Sequence, residues 1–462
     1  MNELVSTLNG LVWSPALIYL CLGVGLYFSL RGRFLQVRHF KEMIRLMFNG
    51  RTDEHGITSF QALTMTLAGR VGTGNIAGVA TAITFGGPGA VFWMWMVAFL
   101  GASSAFVEST LGQVYKEKLD GQYRGGPAFY IEKGLGLKWY AWLFAVVTVF
   151  ACGLLLPGVQ ANSIASSVQT AFDVHPNTTA AILAIMLGLI IFGGVKRIAR
   201  FAEFVVPFMA LGYILVACVI VMLNIEKLPE VLLLIVKSAF GLEAGFGAIV
   251  GMAIQWGVKR GVYSNEAGQG TGPQSAAAAE VSHPAKQGFV QAFAVYVDTL
   301  FVCSATAFII ISTGAYRVYE GESEAGAVIF EGGSLPATAS VGPAYVQSGF
   351  DAMFSGFGPT FVAVALAFFA FTTIVAYYYM AEVNLVFITR NFSNPLFRRV
   401  ALRALQGLIL VSVAYGAVAT TGAAWGLGDI GVGSMAWLNI IGILLLQGPA
   451  LKALKDYRAQ KR

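Results

Sequence analysis

Apolar residues arrive in long runs along this chain, and short polar loops separate them. Eleven runs can be bounded: 12–30, 57–85, 88–115, 139–172, 178–195, 203–224, 244–275, 287–313, 359–382, 401–420 and 430–451. A helix needs roughly 20 apolar residues to cross hydrocarbon, and several runs exceed that. The longer ones must tilt, kink or break, and Pro157 marks a kink within 139–172. Two runs carry an interruption. In 57–85 it covers Gly69–Asn75, within GRVGTGNIAG; in 244–275 it is SNEAGQGTG, from Ser264 to Gly272. Glycine weakens helix and admits left-handed backbone, while Thr73 and Asn75 are residue types that cap a restarting half-helix.

The two breaks occupy matching positions. If 57–85 opens a unit of five spans, that unit closes with 203–224 and the next opens with 244–275. An odd number of spans per unit forces opposite topologies. Irregular backbone in a bilayer persists only where protein or a wet cavity satisfies it, and paired interruptions point to a transporter site between inverted repeats. The predicted organisation is an extra helix and basic loop at 1–56, a first repeat at 57–224 and a second at 225–462. Close packing through small residues is the plainer reading of one glycine-rich helix. Two breaks with polar caps in equivalent places favour a site. Outside the spans, 121–137 predicts a cytoplasmic stretch with an interfacial helix. Segment 315–355, with Glu320, Glu322, Glu324, Glu331 and Asp351, reads either as an acidic cap over a vestibule or as an ordinary loop.

Composition narrows the class. Only 12% of the 462 residues are charged and 56% are hydrophobic, against about a quarter charged in a soluble domain. The chain is therefore read as an all-α, polytopic membrane protein with the lipid bilayer as its solvent. The net charge of +6 does not indicate nucleic acid, because the basic residues cluster in loops. With the N-terminus outside, 24 of the 30 Lys and Arg fall in cytoplasmic segments, three outside (Lys227, Lys237, Arg317) and three within spans (Arg70, Lys259, Arg260). That bias predicts an N-out, C-in protein of a bacterial-type inner membrane. The N-terminus lacks the basic region and cleavage site of a signal peptide. Cys21, Cys152, Cys218 and Cys303 lie in apolar runs and read as small buried hydrophobes. GTGNIA matches a dinucleotide fingerprint, but it sits in a span with Phe92 where the acidic partner belongs. No nucleophile–base pair or metal cluster suggests an enzyme, no cofactor is implied, and no feature specifies an oligomer.

Several stretches resemble one family. GGPGAVFWMWMVAFLG at 86–101 is similar to the signature of the alanine or glycine:cation symporter family, the sodium:alanine symporters. VGTGNIAGVATAI at 71–83 and SNEAGQGTGPQSAAAAEVSHPAKQG at 264–288 resemble its two broken helices; GGPAFYIEKGLG at 125–136 and PGVQANSIA at 157–165 also fit. The resemblance covers nearly the whole chain, in order. It implies a five-plus-five inverted repeat of the leucine-transporter kind, preceded by one extra span, and symport of small neutral amino acids, mainly alanine or glycine, with Na⁺ as coupling ion.

An amino-acid zwitterion needs donors for its carboxylate and acceptors for its ammonium. The amides of Thr73, Gly74, Asn75 and Ile76, at the start of a half-helix, suit a carboxylate. Gly74 would allow close approach, and Asn75 would either bond substrate or close the break. The resemblance adds Gln160 and Asn162 as ammonium acceptors; an interhelical hydrogen bond is the plainer role for Gln160. Carbonyls near Gln255–Lys259 are alternatives. Asn265 lies in the second break, and Trp256, Phe172 and Tyr377 are candidate pocket walls or plain packing; many relatives carry Trp where Tyr377 stands. Na⁺ takes hard oxygens, and matching motifs assign the carbonyls of Ala68 and Val71 and the hydroxyls of Thr372 and Thr373. Back-bonding to the preceding turn is the alternative for those threonines. Nothing marks a second sodium site. Arg70 and Glu266 are candidates for an ion pair or a gate, with Glu108, Asp298 and Glu382 as further partners for Arg70. A proton-coupled or exchanging amino-acid transporter on the same fold is the competing reading, and an ion channel the third. Proton coupling would use an acid or lysine near the first break.

Overall fold

The structure, a computed structural model, describes residues 2–48, 56–243, 245–392 and 394–460. Arg51, Lys461 and Arg462, counted above among the cytoplasmic cations, lie outside the described residues. The chain begins with α1 (Asn2–Val12) and α2 (Pro15–Arg31), which form one apolar rod from Glu3 to Arg31. Two short helices follow, α3 (Leu35–Arg38) and α4 (Phe40–Met47). Then come the halves of the first interrupted span, α5 (Ser59–Arg70) and α6 (Ala77–Gly86), with a single turn of 3₁₀ helix at Thr73–Asn75 between them. A capping box starts α5: Gln61 N donates to Thr58 Oγ1 and Thr58 N to Gln61 Oε1, both at 3.0 Å. The rod α7 (Gly89–Val114) leads to a hairpin of β1 (Glu117–Leu119) and β2 (Gln122–Arg124), then to α8 (Pro127–Tyr130).

The next rod is α9 (Lys138–Phe150) plus α10 (Leu156–Phe172), joined by a π-helical turn at Ala151–Leu155 beside Pro157. After α11 (Pro176–Ile191) and α12 (Gly194–Leu223) comes α13 (Leu228–Ala239). The second interrupted span is α14 (Val250–Asn265) and α15 (Gly272–Ala278). Another π-helical turn, Val297–Cys303, joins α16 (Pro284–Tyr296) to α17 (Ser304–Thr313). Strands β3 (Arg317–Tyr319) and β4 (Val328–Glu331) pair antiparallel, and α18 (Pro343–Met353) follows. The chain ends with α19 (Gly358–Thr389), α20 (Pro395–Val418), α21 (Thr421–Leu445) and α22 (Gln447–Gln460).

Eight rods among the described residues are long and apolar enough to cross a membrane. The three other predicted runs are α11 and the two interrupted pairs. The expected all-α architecture carries two small hairpins, where glycine-containing turns at 120–121 and 321–326 reverse the chain. The 121–137 stretch is thus half hairpin and half helix. Segment 315–355 is an ordered cap: Tyr319 packs with Phe85 of α6 and Trp256 of α14, and Gln255 donates to Glu322 at 2.6 Å. Helix α13, in the outside segment that carries Lys227 and Lys237, has only 12 residues and holds Glu230 and Lys237, so its apolar run is too short to count as a span.

Burial separates inside from outside. The apolar windows of α7 and of α16–α17 are 72% buried, against 33% for α12, whose Phe204, Phe208, Leu211 and Leu215 are exposed; Cys218, expected to be buried, lies on this outer helix and is exposed too. An apolar outer surface of this kind faces lipid. The interrupted helices run through the middle and are pinned at one end, where Ile57 N donates to Ala278 O and Glu280 N to Ile57 O, both at 3.0 Å. Helices α10 and α20 cross where Gly158 meets Gly416, and a Cβ on Gly416 would strike the backbone of Gly158. Gly407, on the same helix α20, faces open space. Gly416→Ala is expected to lower stability by about 1–3 kcal/mol through overpacking, while Gly407→Ala holds or raises it by up to ~1 kcal/mol; thermal unfolding in detergent reads both.

Candidate functional site

Both breaks lie at the centre of the bundle, and their polar atoms meet on one acid. Asp298, in the π-helical turn after α16, is fully buried. Its Oδ1 accepts from Asn75 Nδ2 at 2.6 Å, in the first break, and from Ser264 Oγ at 3.1 Å, at the end of α14. Thr299 Oγ1 donates to its Oδ2 at 2.7 Å. Asn75 also closes its own break, since its Oδ1 accepts from Gly72 N at 2.8 Å. That bond holds the break from within. Gly74 permits a close approach, but by protein: a Cβ there would lie 3.1 Å from Ser264 Cα and 3.2 Å from Tyr263 Cδ1.

The amide end of the first break is covered by a side chain. Gln160 Oε1 accepts from Thr73 N at 3.0 Å, and Thr73 Oγ1 bonds Ser163 Oγ. The amides of Asn75 and Ile76 donate to Gly72 O and Thr73 O, both at 3.2 Å. The carbonyl end faces α19. Thr373 Oγ1 lies 2.8 Å from Ala68 O, 3.4 Å from Val71 O and 3.0 Å from Phe369 O. One hydroxyl hydrogen serves only one of these oxygens, so hydroxyl and carbonyls form a cluster of hard oxygens at the negative end of the α5 dipole, a donor set that fits a small cation. Thr372 turns away from it, donating to Phe369 O at 2.9 Å and lying 3.6 Å from Met209 Sδ.

The second break is organised by Glu108 of α7. Its carboxylate accepts from Gly268 N at 3.3 Å, Gly270 N at 3.2 Å and Asn439 Nδ2 at 2.7 Å. Asn265 bonds within the break, taking Ala267 N at 3.0 Å, and reaches Thr299 at 3.3 Å. Glu266 takes a left-handed conformation, φ 56°, and Thr271 Oγ1 donates to its Oε2 at 2.8 Å.

Three predicted wall or ligand residues lie apart from this centre. Phe172 ends α10 and is 49% exposed. Asn162 ties α10 to the end of α20, donating to Gly416 O at 3.0 Å and Ala419 O at 2.7 Å. Trp256 stands nine residues before Asn265, roughly 13 Å along the helix, and belongs to the cap contact with Phe85 and Tyr319. Tyr377 is buried one turn beyond Thr373, in the electrostatic range of Glu266 and Tyr263. Arg70 forms no ion pair among the described residues. Its Nη1 donates to Gln291 O at 3.0 Å, and Nε and Nη2 have no hydrogen-bond partner. Its expected partners are engaged elsewhere: Glu108 by amides, Asp298 by the two breaks, and Glu382 by Arg124 at 2.8 Å. Their charges and that of Glu266 still bear on Arg70 without direct contact, save that of Glu382. Asp298 and Glu108 were named only as partners for Arg70. Lone acids within apolar runs were the signal for a larger role.

The model of the sodium:alanine symporter family matches residues 1–462. The chain belongs to that family. Similar proteins include the sodium/proton-dependent alanine carrier protein of Bacillus sp. (strain PS3), 50% identical over 90% of this chain and 92% of that one. The sodium/alanine symporter AgcS of Methanococcus maripaludis is 38% identical over 98% and 97%. Among solved structures, MhsT in complex with L-phenylalanine superposes with a TM-score of 0.55 at 14% identity, covering 87% of this chain and 98% of that one; that likeness shows the fold, the leucine-transporter one. A sodium:alanine symporter is a membrane transporter and not an enzyme. Within this member, Asp298→Asn removes the charge that its three donors share and turns an NH2 group toward one side of that cluster. It is expected to slow transport at least about tenfold and to lower the unfolding temperature, since charge-assisted bonds are worth about 1.5–3 kcal/mol each; Ser264→Ala, which removes one donor, retains most activity. Uptake by reconstituted protein, normalised to protein content, checks the pair.

Proposed function

We propose that the protein is a secondary active symporter that couples Na⁺ entry to uptake of small neutral amino acids, alanine or glycine, across the plasma membrane by alternating access. The observation that carries this reading is the convergence of Ala68 O, Val71 O and Thr373 Oγ1 at one side of the first break, with the Thr73 amide on the other. Na⁺ takes the oxygens. The substrate carboxylate takes the Thr73 amide, where the Gln160 carbonyl oxygen now stands in for it, and Gln160 then turns its oxygen to the ammonium. Tyr377 and Tyr263 limit the side chain to a small one. The lysine and arginine bias supports an N-out, C-in orientation, and the matched breaks support inverted repeats at 57–224 and 225–462. One ion suffices: a charge moving down ~100 mV yields about 2.3 kcal/mol, roughly 40-fold accumulation at about 1.4 kcal/mol per tenfold.

Proteoliposomes are expected to take up labelled alanine with an inward Na⁺ gradient and to stop when choline replaces Na⁺; undiminished uptake in choline defeats the sodium reading. Thr373→Val should raise the half-saturating Na⁺ concentration about tenfold or more, the value of one well-placed polar contact, and Thr372→Val should shift it far less.

A second reading has an observation of its own. Beside Asp298, which is held by three donors, Glu266 is a second acid near the first break: its carboxylate oxygens lie 3.3 and 3.6 Å from where a Cβ on Gly69 would stand, and Oε1 has no hydrogen-bond partner. Arg70 of α5, Glu108 of α7, Asp298 and Tyr377 surround it. If Glu266 carries a coupled proton, uptake responds to an inward proton gradient and falls as the outer pH rises, and Glu266→Gln flattens that profile. An unchanged profile in Glu266→Gln assigns the coupling elsewhere.

A further inference from the structure

At the capped end of the bundle, α14 and α21 barely pack backbone to backbone. Side chains join them. Arg260 donates from Nη1 to Asp429 Oδ1 at 2.8 Å and from Nη2 to Oδ2 at 2.7 Å, and Lys259 Nζ lies 2.9 Å from Oδ2. All three residues are buried, and Trp256, Tyr263 and Trp425 ring the guanidinium at 5.1, 5.6 and 4.6 Å. In a buried ion pair the desolvation cost offsets most of the attraction. Such a joint can part and rewet at little net cost, whereas a hydrophobic seam of the same area cannot.

The helix ahead of the first repeat is built into this joint. On α21, Gly426 and Gly433 leave room for Val5 and Val12 of α1; a Cβ at either glycine would strike the facing valine. Trp437 Nε1 donates to Val12 O at 2.9 Å. Seated this way, α1 brings Trp13 Nε1 to the backbone oxygen of Asp429 at 2.8 Å. Asn9 Oδ1 lies 3.4 Å from Lys259 Nζ, which stands 5.8 Å over the Trp13 ring.

We propose that Asn9 and Trp13 are positioning residues for closure of the capped end: they hold Asp429 and Lys259 where the joint between α14 and α21 forms. The proposal rests on the transport reading only in that this end must open, and its test needs no substrate. Cys303, buried beside Asn75 and Ser264, reports opening. In the full chain with Cys21, Cys152 and Cys218 replaced by alanine, a membrane-impermeant methanethiosulfonate applied from the capped side should label Cys303 about fivefold faster in Asn9→Ala and in Trp13→Phe, the factor one ordinary hydrogen bond is worth. The unfolding temperature should fall by no more than about 2 °C, and in a Lys259→Met background Asn9→Ala should add nothing. Unchanged labelling in both variants overturns the proposal, as does acceleration that comes with a larger fall in unfolding temperature or persists undiminished beside Lys259→Met. A parent protein whose Cys303 never labels overturns it together with the alternating-access reading.

Discussion

The carboxylate of Asp298 holds two interrupted helices together. A break in a membrane helix leaves amides and carbonyls without partners where water is scarce, and each one unsatisfied costs several kcal/mol. Here the breaks are satisfied by protein: Asn75 and Ser264 converge on Asp298, Glu108 receives the amides of Gly268 and Gly270, and Gln160 receives that of Thr73. Each acceptor comes from a different rod. The backbone of the breaks is therefore defined by the packing of the bundle as a whole, and a shift of any rod changes which groups remain satisfied.

Two polar centres result, with different chemistry. Between α5 and α19 the oxygens of Ala68, Val71 and Thr373 gather where the helix end is negative. Around Arg70 lie Glu108, Glu266 and Asp298, two of them richly supplied with donors and one, Glu266, with a single donor. Glu266 keeps one oxygen without a hydrogen-bond partner, so substitution at Glu266 addresses the proton reading as substitution at Thr373 addresses the sodium one.

Much of the architecture was legible in the sequence because bilayer thickness imposes a length on apolar runs, and because glycine with capping residues interrupts them visibly. The breaks fall where Gly69–Asn75 and Ser264–Gly272 announced them. The Thr373 cluster was legible through the family resemblance. What sequence could not supply was direction. Phe172, Asn162 and Trp256 have the right chemistry but point to a helix end, to α20 and to the cap. Asp298 and Glu108 stood out as acids, yet only the folded arrangement shows that amides and amide side chains are their partners. The hairpins escaped a reading tuned to hydrophobic length, since strands of three or four residues leave no periodicity to count.

Besides the π-helical turn at Ile131–Leu135 that follows α8, two such turns lie inside rods. Each wide turn holds one residue more than an α-helical turn needs. The one at Ala151–Leu155 precedes Gln160, and the one at Val297–Cys303 contains Asp298. Losing a single residue from either would restore a regular helix and rotate one half of the rod against the other by about 100°, turning Gln160 or Asp298 away from the breaks. The length of these two rods is thus under a constraint separate from their composition, and a homologue shortened by one position there would have to rebuild its centre from other residues.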